Sequence, residues 1–420
     1  MDATLARLET LVAPSTGLID RVCELAAHPG ETRFQVQTAL LGDINQAMDS
    51  YAWARMNHPI ACPGDGSGSG LTANEARLRA IAEALERYAS CVYDEKQFVW
   101  ATGAELGQEA LDLDTVPKCS DDEYSHPSCP VVRPDKHAPI RWVRGVSLHD
   151  GRATWIPAVL SFLNLPALTA AERFCLPIST GCAAHVSVEQ ALLSGLCEVI
   201  ERDAVSLTWL QRLALPRIVA DASEHFFDAT TDLGVPTLYC VQVAPHSERL
   251  AVVVGCDAGL DASVSLAKLR REVASCRIGL QMPRSSASDR DAFLSVYDGA
   301  LYMARPERLE AFGFLLKTTT HRTLAEMPKL ETGSARRNLL EILGRLRRAG
   351  YEAYAVDLTT DEACRVGMRV VRVVVPGLMP LSFSYRARFL GHSRLYDAPR
   401  RMGHPVQGEA DINPWPQPFA

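Results

Sequence analysis

The chain has 420 residues, 47% of them apolar, and a formal net charge of −7. That length accommodates two or three domains or one large one, and the negative balance excludes a general binder of nucleic acid or of an anionic membrane surface. No apolar run reaches the ~18–20 residues a membrane-spanning helix needs, and the start, MDATLARLETLVAPSTG, lacks the basic-then-apolar order of a secretion signal.

Twelve cysteines are scattered without a CxxC pair. Cys197, Cys240 and Cys256 stand in apolar surroundings, as reduced core thiols do, so a reducing, cytoplasmic location is expected. Cys119 and Cys129, in a polar loop, are either zinc ligands with other partners or idle thiols, and the idle reading is favoured.

In chain order, residues 18–56 are expected to be mainly helical with a polar face. The run GDGSGSG (64–70) is expected to be a flexible lead-in to a helix over 73–90. It lacks the G-x-x-x-x-G-K-[ST] pattern of a phosphate loop, and no strand is evident feeding it. Residues 100–140, rich in Asp, Pro, Ser and His, read as irregular surface. IRWVRGVSL (140–148) and ATWIPAVLSF (153–162) alternate around HDGR, a hairpin signal. A second, strongly apolar helix spans about 187–205. TLYCVQVA (237–244) and LAVVVGCDA (250–258) read as strands. Residues 263–281 form a helix with an Ala-rich face, and residues 335–350 form another that Gly350 terminates. YEAYAVDLT (351–359) and MRVVRVVVPG (368–377) are strands, and the chain closes with NPWPQPFA (413–420). Strands and helices are mixed rather than strictly alternating, which predicts a mixed α/β (α+β) fold.

The two helices are copies of one pattern. TANEARLRAIAEALERYA from Thr72 and SVEQALLSGLCEVIERDA from Ser187 align without a gap at an offset of 115. Thr72 with Glu75, and Ser187 with Gln190, are candidate capping boxes. Glycine precedes both: Gly66, Gly68 and Gly70 in the first, Gly181 in the second. Each copy sets two glutamates at i and i+3 on one helix face, Glu83 with Glu86 and Glu198 with Glu201. The second copy carries no charge between Gln190 and Glu198, so Glu198 is expected to be partly buried. Facing each other, two such helices would gather four carboxylates, which requires cations. Arg87 and Arg202 would supply two, and hard oxygen ligands favour Mg²⁺ over zinc for the rest. The competing reading is a pair of solvated helix ends with local salt bridges; the repetition weighs against it.

With these motifs the chain resembles the YcaO-domain family. GSG (68–70) with RAIAEALER (79–87), STGCAA (179–184) with EVIERDA (198–204), and LRREVASCR (269–277) are similar to that family's three helix motifs. VVRVVVPGLMPL, FLGHSRLYDAP and the PWPQP tail (414–418) look like its C-terminal region, the tail being typical of azoline-forming members. The likeness runs from about residue 14 to Ala420. It implies a single YcaO-type domain over 1–420 with the two carboxylate-bearing helices packed on β-sheet.

The resemblance further implies ATP between the helices with its phosphates on Mg²⁺, Glu83, Glu86, Glu198 and Glu201 as metal ligands, Gln190 near the nucleotide and Arg277 on phosphate. The family's G-K-G lysine is Ser69 here, its first-motif serine is Arg79, and a customary small glycine is His185. Arg79 is either a replacement phosphate contact or a solvent-facing side chain. Pro414, Pro416, Pro418 and the Ala420 carboxylate are implied as an ordered tail element of the site, the carboxylate serving proton transfer. The implied activity is ATP-dependent cyclodehydration of Cys, Ser or Thr in a ribosomally made precursor peptide to thiazoline or oxazoline. Alternatives are a thioamide- or amidine-forming relative and a non-catalytic nucleotide-binding scaffold. Implied partners are the precursor peptide, a separate leader-peptide-binding subunit of ubiquitin-activating type, an FMN-dependent dehydrogenase where azoles are made, and a second copy of the chain.

Overall fold

A computed structural model of the chain describes residues 2–27, 34–41, 65–220, 223–282 and 288–420. It divides into two compact units. The first comprises Met1–Val116, Val131–Leu196 and Glu352–Val375; the second comprises Pro117–Pro130, Cys197–Tyr351 and Pro376–Ala420. Helices and strands are mixed in both, as the sequence predicts.

The first unit opens with helix α1 (Asp2–Glu9) and a three-stranded antiparallel sheet, β1 (Ile19–Glu24), β2 (Gln35–Leu41) and β3 (Gly66–Gly70), in that order. This corrects the expectation of helix over 18–56 where the chain is described; residues 42–56 lie outside the described residues. Val36 and Ala39 of β2 are fully buried, and β2 pairs with a neighbour on each side. Non-local pairing of this kind outweighs a local helical pattern.

The glycine run also differs from expectation: it is strand β3, feeding directly into helix α2 (Ala73–Ala89). Gly66, Gly68 and Gly70 share one face of β3 by the two-residue alternation of a strand. A Cβ on Gly66 would overlap the Ala80 carbonyl and Ala84, one on Gly68 the Ala76 carbonyl, and one on Gly70 Glu75 and Ala76. Ala76, Ala80 and Ala84 of α2 are fully buried. Glycine is therefore a packing requirement here: small residues on both elements let strand and helix backbones touch.

A second sheet of the first unit runs β4 (Val99–Ala101), β5 (Ile140–Ser147), β12 (Tyr354–Asp357), β13 (Arg369–Val374), β7 (Cys182–His185), with β6 (Ala153–Pro157) paired to β5. The β5–β6 hairpin is the predicted one. Residues 100–140, read as irregular, contain short helical turns at Gly103–Leu106 and Asp121–Ser125. Each is closed by a capping box, Thr102 with Glu105 and Ser120 with Glu123, which supplies local order without an apolar pattern.

Helix α3 (Val188–Gln211) begins in the first unit and continues into the second. The second unit contains a four-stranded antiparallel sheet, ordered β11 (Val252–Ala258), β10 (Thr237–Val243), β9 (Glu224–Asp228), β8 (Arg217–Ala220). Helix α4 (Ala262–Gln281) packs Leu269 and Val273 onto it across Gly255. Helices α5 (Val296–Met303), α6 (Ala335–Arg348) and α7 (Arg394–Arg401) complete the unit. The buried Arg394 of α7 reaches Asp203 of α3 at 2.6 Å and Asp232 at 2.9 Å. Every helix is too short or too polar to cross a membrane among the described residues.

The β3–α2 contact yields a direct test. Gly68→Val is expected to destabilise the protein by ~1–3 kcal/mol through overpacking, lowering the melting temperature by several degrees. Gly408→Ala, where a Cβ meets nothing within 4 Å, is expected to melt like the parent chain in the same calorimetric scan.

Candidate functional site

The repeat recurs in the geometry of each helix taken alone. On α2, Arg87 Nη2 meets Glu83 Oε1 at 2.8 Å and Nη1 stands 3.8 Å from Glu86 Oε1. On α3, Arg202 Nη2 meets Glu198 Oε1 at 3.2 Å, and Nη1 donates to Glu201 Oε1. In both copies one guanidinium fork therefore bridges the two glutamates through the same atoms.

Backbone donors meet the second carboxylate oxygen of three of the four glutamates. Ser67 N–H of β3 donates to Glu83 Oε2 at 2.8 Å, and Ala184 N–H of β7 donates to Glu86 Oε2 at 3.2 Å. In the second unit, Ala258 N–H of β11 donates to Glu201 Oε2 at 3.4 Å. The caps are half of what the sequence suggested. Thr72 accepts from Glu75 N–H, but the Glu75 carboxylate reaches back to Leu71 N–H rather than to Thr72. Ser187 accepts from Gln190 N–H, while its hydroxyl donates to Glu189.

Glu201 is buried in this setting, and desolvation pushes its carboxyl up to about 8, against the opposing pull of Arg202. Asp257 at the end of β11, almost fully buried, adds to the rise. Lys268 of α4 answers it, with Nζ 2.5 Å from Asp257 Oδ1 and 3.5 Å from Glu272 Oε1. Asp257 and Lys268 escaped the sequence reading. The available signals were an acidic residue closing the apolar run VVVGC and a lysine one helical turn before Glu272.

The other expected residues are placed as follows. Arg79 is exposed and donates to the Ser69 carbonyl, clamping α2 to β3. Gln190 is half-buried in the first turn of α3. Arg277 is fully buried within the second unit, with Nε on Gln242 Oε1 and Nη1 on the Leu250 carbonyl at 2.7 Å. Contact with phosphate would require it to exchange these partners.

The tail is an ordered part of the second unit. Asn413 N–H donates to the Leu210 carbonyl at 2.9 Å and Asn413 Nδ2 to the Trp209 carbonyl at 2.9 Å. These are among the orphan carbonyls at the end of α3. Trp209 Nε1 returns a bond to the Trp415 carbonyl at 3.1 Å, and Tyr385 holds the Pro414 carbonyl at 3.1 Å. Pro414 is exposed, Pro416 through Phe419 are buried, and Ala420 packs against the apolar cluster of Phe226, Leu238 and Leu269. The Phe419 ring lies 4.4 Å from the Arg202 guanidinium carbon. No local signal marks Phe419 in the sequence.

The glutamate pairs suit a hard divalent cation. They offer only oxygen donors, and a buried Glu201 held well above the ordinary carboxylate range is short of positive charge. Within either unit, among the described residues, no three His, Cys, Asp or Glu side chains gather as a metal-binding group, so each helix offers a pair.

Comparison with known proteins places these features in a family. The family model described as YcaO cyclodehydratase, ATP- and Mg²⁺-binding, matches residues 67–379. A protein of Methanothermobacter thermautotrophicus described as uncharacterized is 28% identical over 337 residues, covering 74% of this chain and 81% of its own. A heterocyclase in complex with substrate and cofactor superposes with a TM-score of 0.79 at 24% identity, covering 99% of this chain and 57% of that one. YcaO from Methanopyrus kandleri bound with AMPPCP and Mg²⁺ superposes with a TM-score of 0.62 at 20% identity, covering 90% of each chain. These two likenesses show the fold; the chain spans little more than half the length of the heterocyclase.

The raised Glu201 carboxyl sets a pH dependence. Between the ordinary carboxylate value and about 8 the folded chain holds a proton that the unfolded chain releases, so metal-free stability falls as pH rises through that window. A metal ion held by Glu201 would have to displace the same proton, so its Mg²⁺ affinity would rise up to about tenfold per pH unit below pH 8. Titration calorimetry at pH 6, 7 and 8 checks this, and Glu201→Gln is expected to flatten the slope and weaken binding at every pH.

Proposed function

The chain belongs to the YcaO family of ATP- and Mg²⁺-binding cyclodehydratases, and from that premise we propose that it converts Cys, Ser or Thr residues of a ribosomally made precursor peptide to thiazolines or oxazolines. The observation that carries this reading is the tail. A frayed terminus is the ordinary fate of eight Pro-rich residues, yet here Asn413 closes helix α3 and Phe419 lies against Arg202, the partner of Glu198 and Glu201.

In this reading the substrate thiol or hydroxyl attacks the preceding backbone carbonyl, and the new ring loses that oxygen as phosphate, a net loss of water. Magnesium-bound ATP, when present, supplies the phosphoryl group that turns the amide oxygen into a leaving group. The residues of the chain hold, align and neutralise. Glu83, Glu86, Glu198 and Glu201 hold the metal. Arg87 and Arg202 span each pair and hold the two carboxylates spaced. Asp257, Lys268 and Glu272 fix the field around Glu201. Gln190 and Arg79 are assigned to the nucleotide, and Arg277 to phosphate if its partners are exchanged. Pro414, Pro416 and Pro418 hold an extended rod with little entropy left to lose, and the Ala420 carboxylate accepts the proton released on cyclisation.

Alignment of the reacting groups and stabilisation of developing charge are what such a site must provide. A leader-binding subunit of ubiquitin-activating type delivers the peptide, an FMN-dependent dehydrogenase follows where azoles are the product, and a second copy of the chain completes the assembly.

Mass spectrometry of a Cys-, Ser- and Thr-containing precursor peptide, incubated with the chain, its leader-binding partner, ATP and Mg²⁺, tests the reading. Loss of one water per ring with matching phosphate release supports it. Exchange of oxygen for sulfur identifies a thioamide former, and bound nucleotide with an unaltered peptide identifies a scaffold. Appending three residues after Ala420 is expected to abolish cyclisation while the melting temperature stays unchanged; full activity of that variant overturns the role of the tail.

A further inference from the structure

Arg202 meets three partners. The edge of its guanidinium serves Glu198 and Glu201, and its face lies 4.4 Å from the Phe419 ring. The cation is largely buried, so each partner matters more than it would in water. Phe419 is itself buried, and the tail that carries it is tied down at Asn413, Pro414 and Trp415. The ring is thus held in place independently of Arg202.

We propose that Phe419 is a positioning residue for the metal: it carries the Arg202 guanidinium on its ring and thereby sets how readily Glu198 and Glu201 release that cation to bind a divalent ion. Arg202 and an incoming metal compete for the same carboxylate oxygens. The buried cation divides its charge between the ring face and the carboxylates, so with the ring in place each carboxylate contact is held less tightly and costs less to give up. Without the ring, the carboxylates answer more of that charge, and the guanidinium yields them less readily. The C-terminal tail and the metal site are therefore coupled: whatever moves the tail changes the metal affinity. The inference rests on the reading of Glu198 and Glu201 as metal ligands and adds a residue with no donor atom to that site.

The test uses Mn²⁺ as the probe, its binding to the full chain read by electron paramagnetic resonance, with thermal melting in parallel. Phe419→Leu keeps most of the volume and removes the ring; Phe419→Trp keeps an aromatic face. The leucine variant is expected to bind Mn²⁺ three- to tenfold more weakly than the parent chain, the tryptophan variant close to the parent, and both to melt near it. Glu201→Gln in the same assay is expected to weaken binding on its own. Weakening by Glu201→Gln without weakening by Phe419→Leu overturns the inference and leaves the ligand assignment standing. Unchanged binding in Glu201→Gln overturns the ligand assignment and the inference with it. Tighter binding by the leucine variant, or equal loss in leucine and tryptophan, also overturns it.

Discussion

Two carboxylates three residues apart on a helix face repel each other, and burial makes the repulsion worse. In both copies a guanidinium one turn further on spans the pair, Arg87 over Glu83 and Glu86, Arg202 over Glu198 and Glu201. The planar fork suits this task better than a lysine, which offers a single point of charge. Much of the surrounding structure keeps these pairs where they are. Strand N–H groups from β3, β7 and β11 take further oxygens. Even so, burial pushes the Glu201 carboxyl up to about 8, so Arg202 alone does not offset the loss of water around it.

Close approach of strand and helix is the second constraint, and it explains the glycines. Ser67 can donate to Glu83 only because β3 lies directly on α2, and that contact depends on Gly66, Gly68 and Gly70 facing Ala76, Ala80 and Ala84. The run that looks like a phosphate loop is the packing surface that aims one backbone donor at one carboxylate. Arg79 adds a clamp on the same strand.

Helices α2, α3, α4 and α6, the hairpin and the repeat were legible in the sequence because their signals are local: periodicity, caps and spacing. Strands β1 and β2 were not, because pairing between distant segments decides them. Strand β3 was hidden by composition, since glycine has low strand propensity and its justification lies on another element. The glutamates declared themselves by repetition. Asp257 and Lys268 meet only where β11 abuts α4, Arg277 turned inward onto Gln242 and Leu250, and Phe419 gained its meaning from a tail fold that spacing does not encode.

The anchoring of that tail follows from the way helix α3 ends. A helix leaves its last four carbonyls without intrahelical partners; at the end of α3, Leu213 N–H meets the Thr208 carbonyl and Arg212 N–H that of Trp209, and Asn413 adds bonds to the carbonyls of Trp209 and Leu210. The same helix that carries Glu198 and Glu201 in its middle therefore holds the tail at its end. From that fixed point, proline-restricted backbone spans to Phe419 at little further entropic cost. Arg202 is thus held from two directions along one helix, by carboxylates on its own turns and by a ring delivered from the end of the chain. A substitution at Asn413 would therefore act on Glu198 and Glu201 without touching them, through the position of a phenylalanine six residues on.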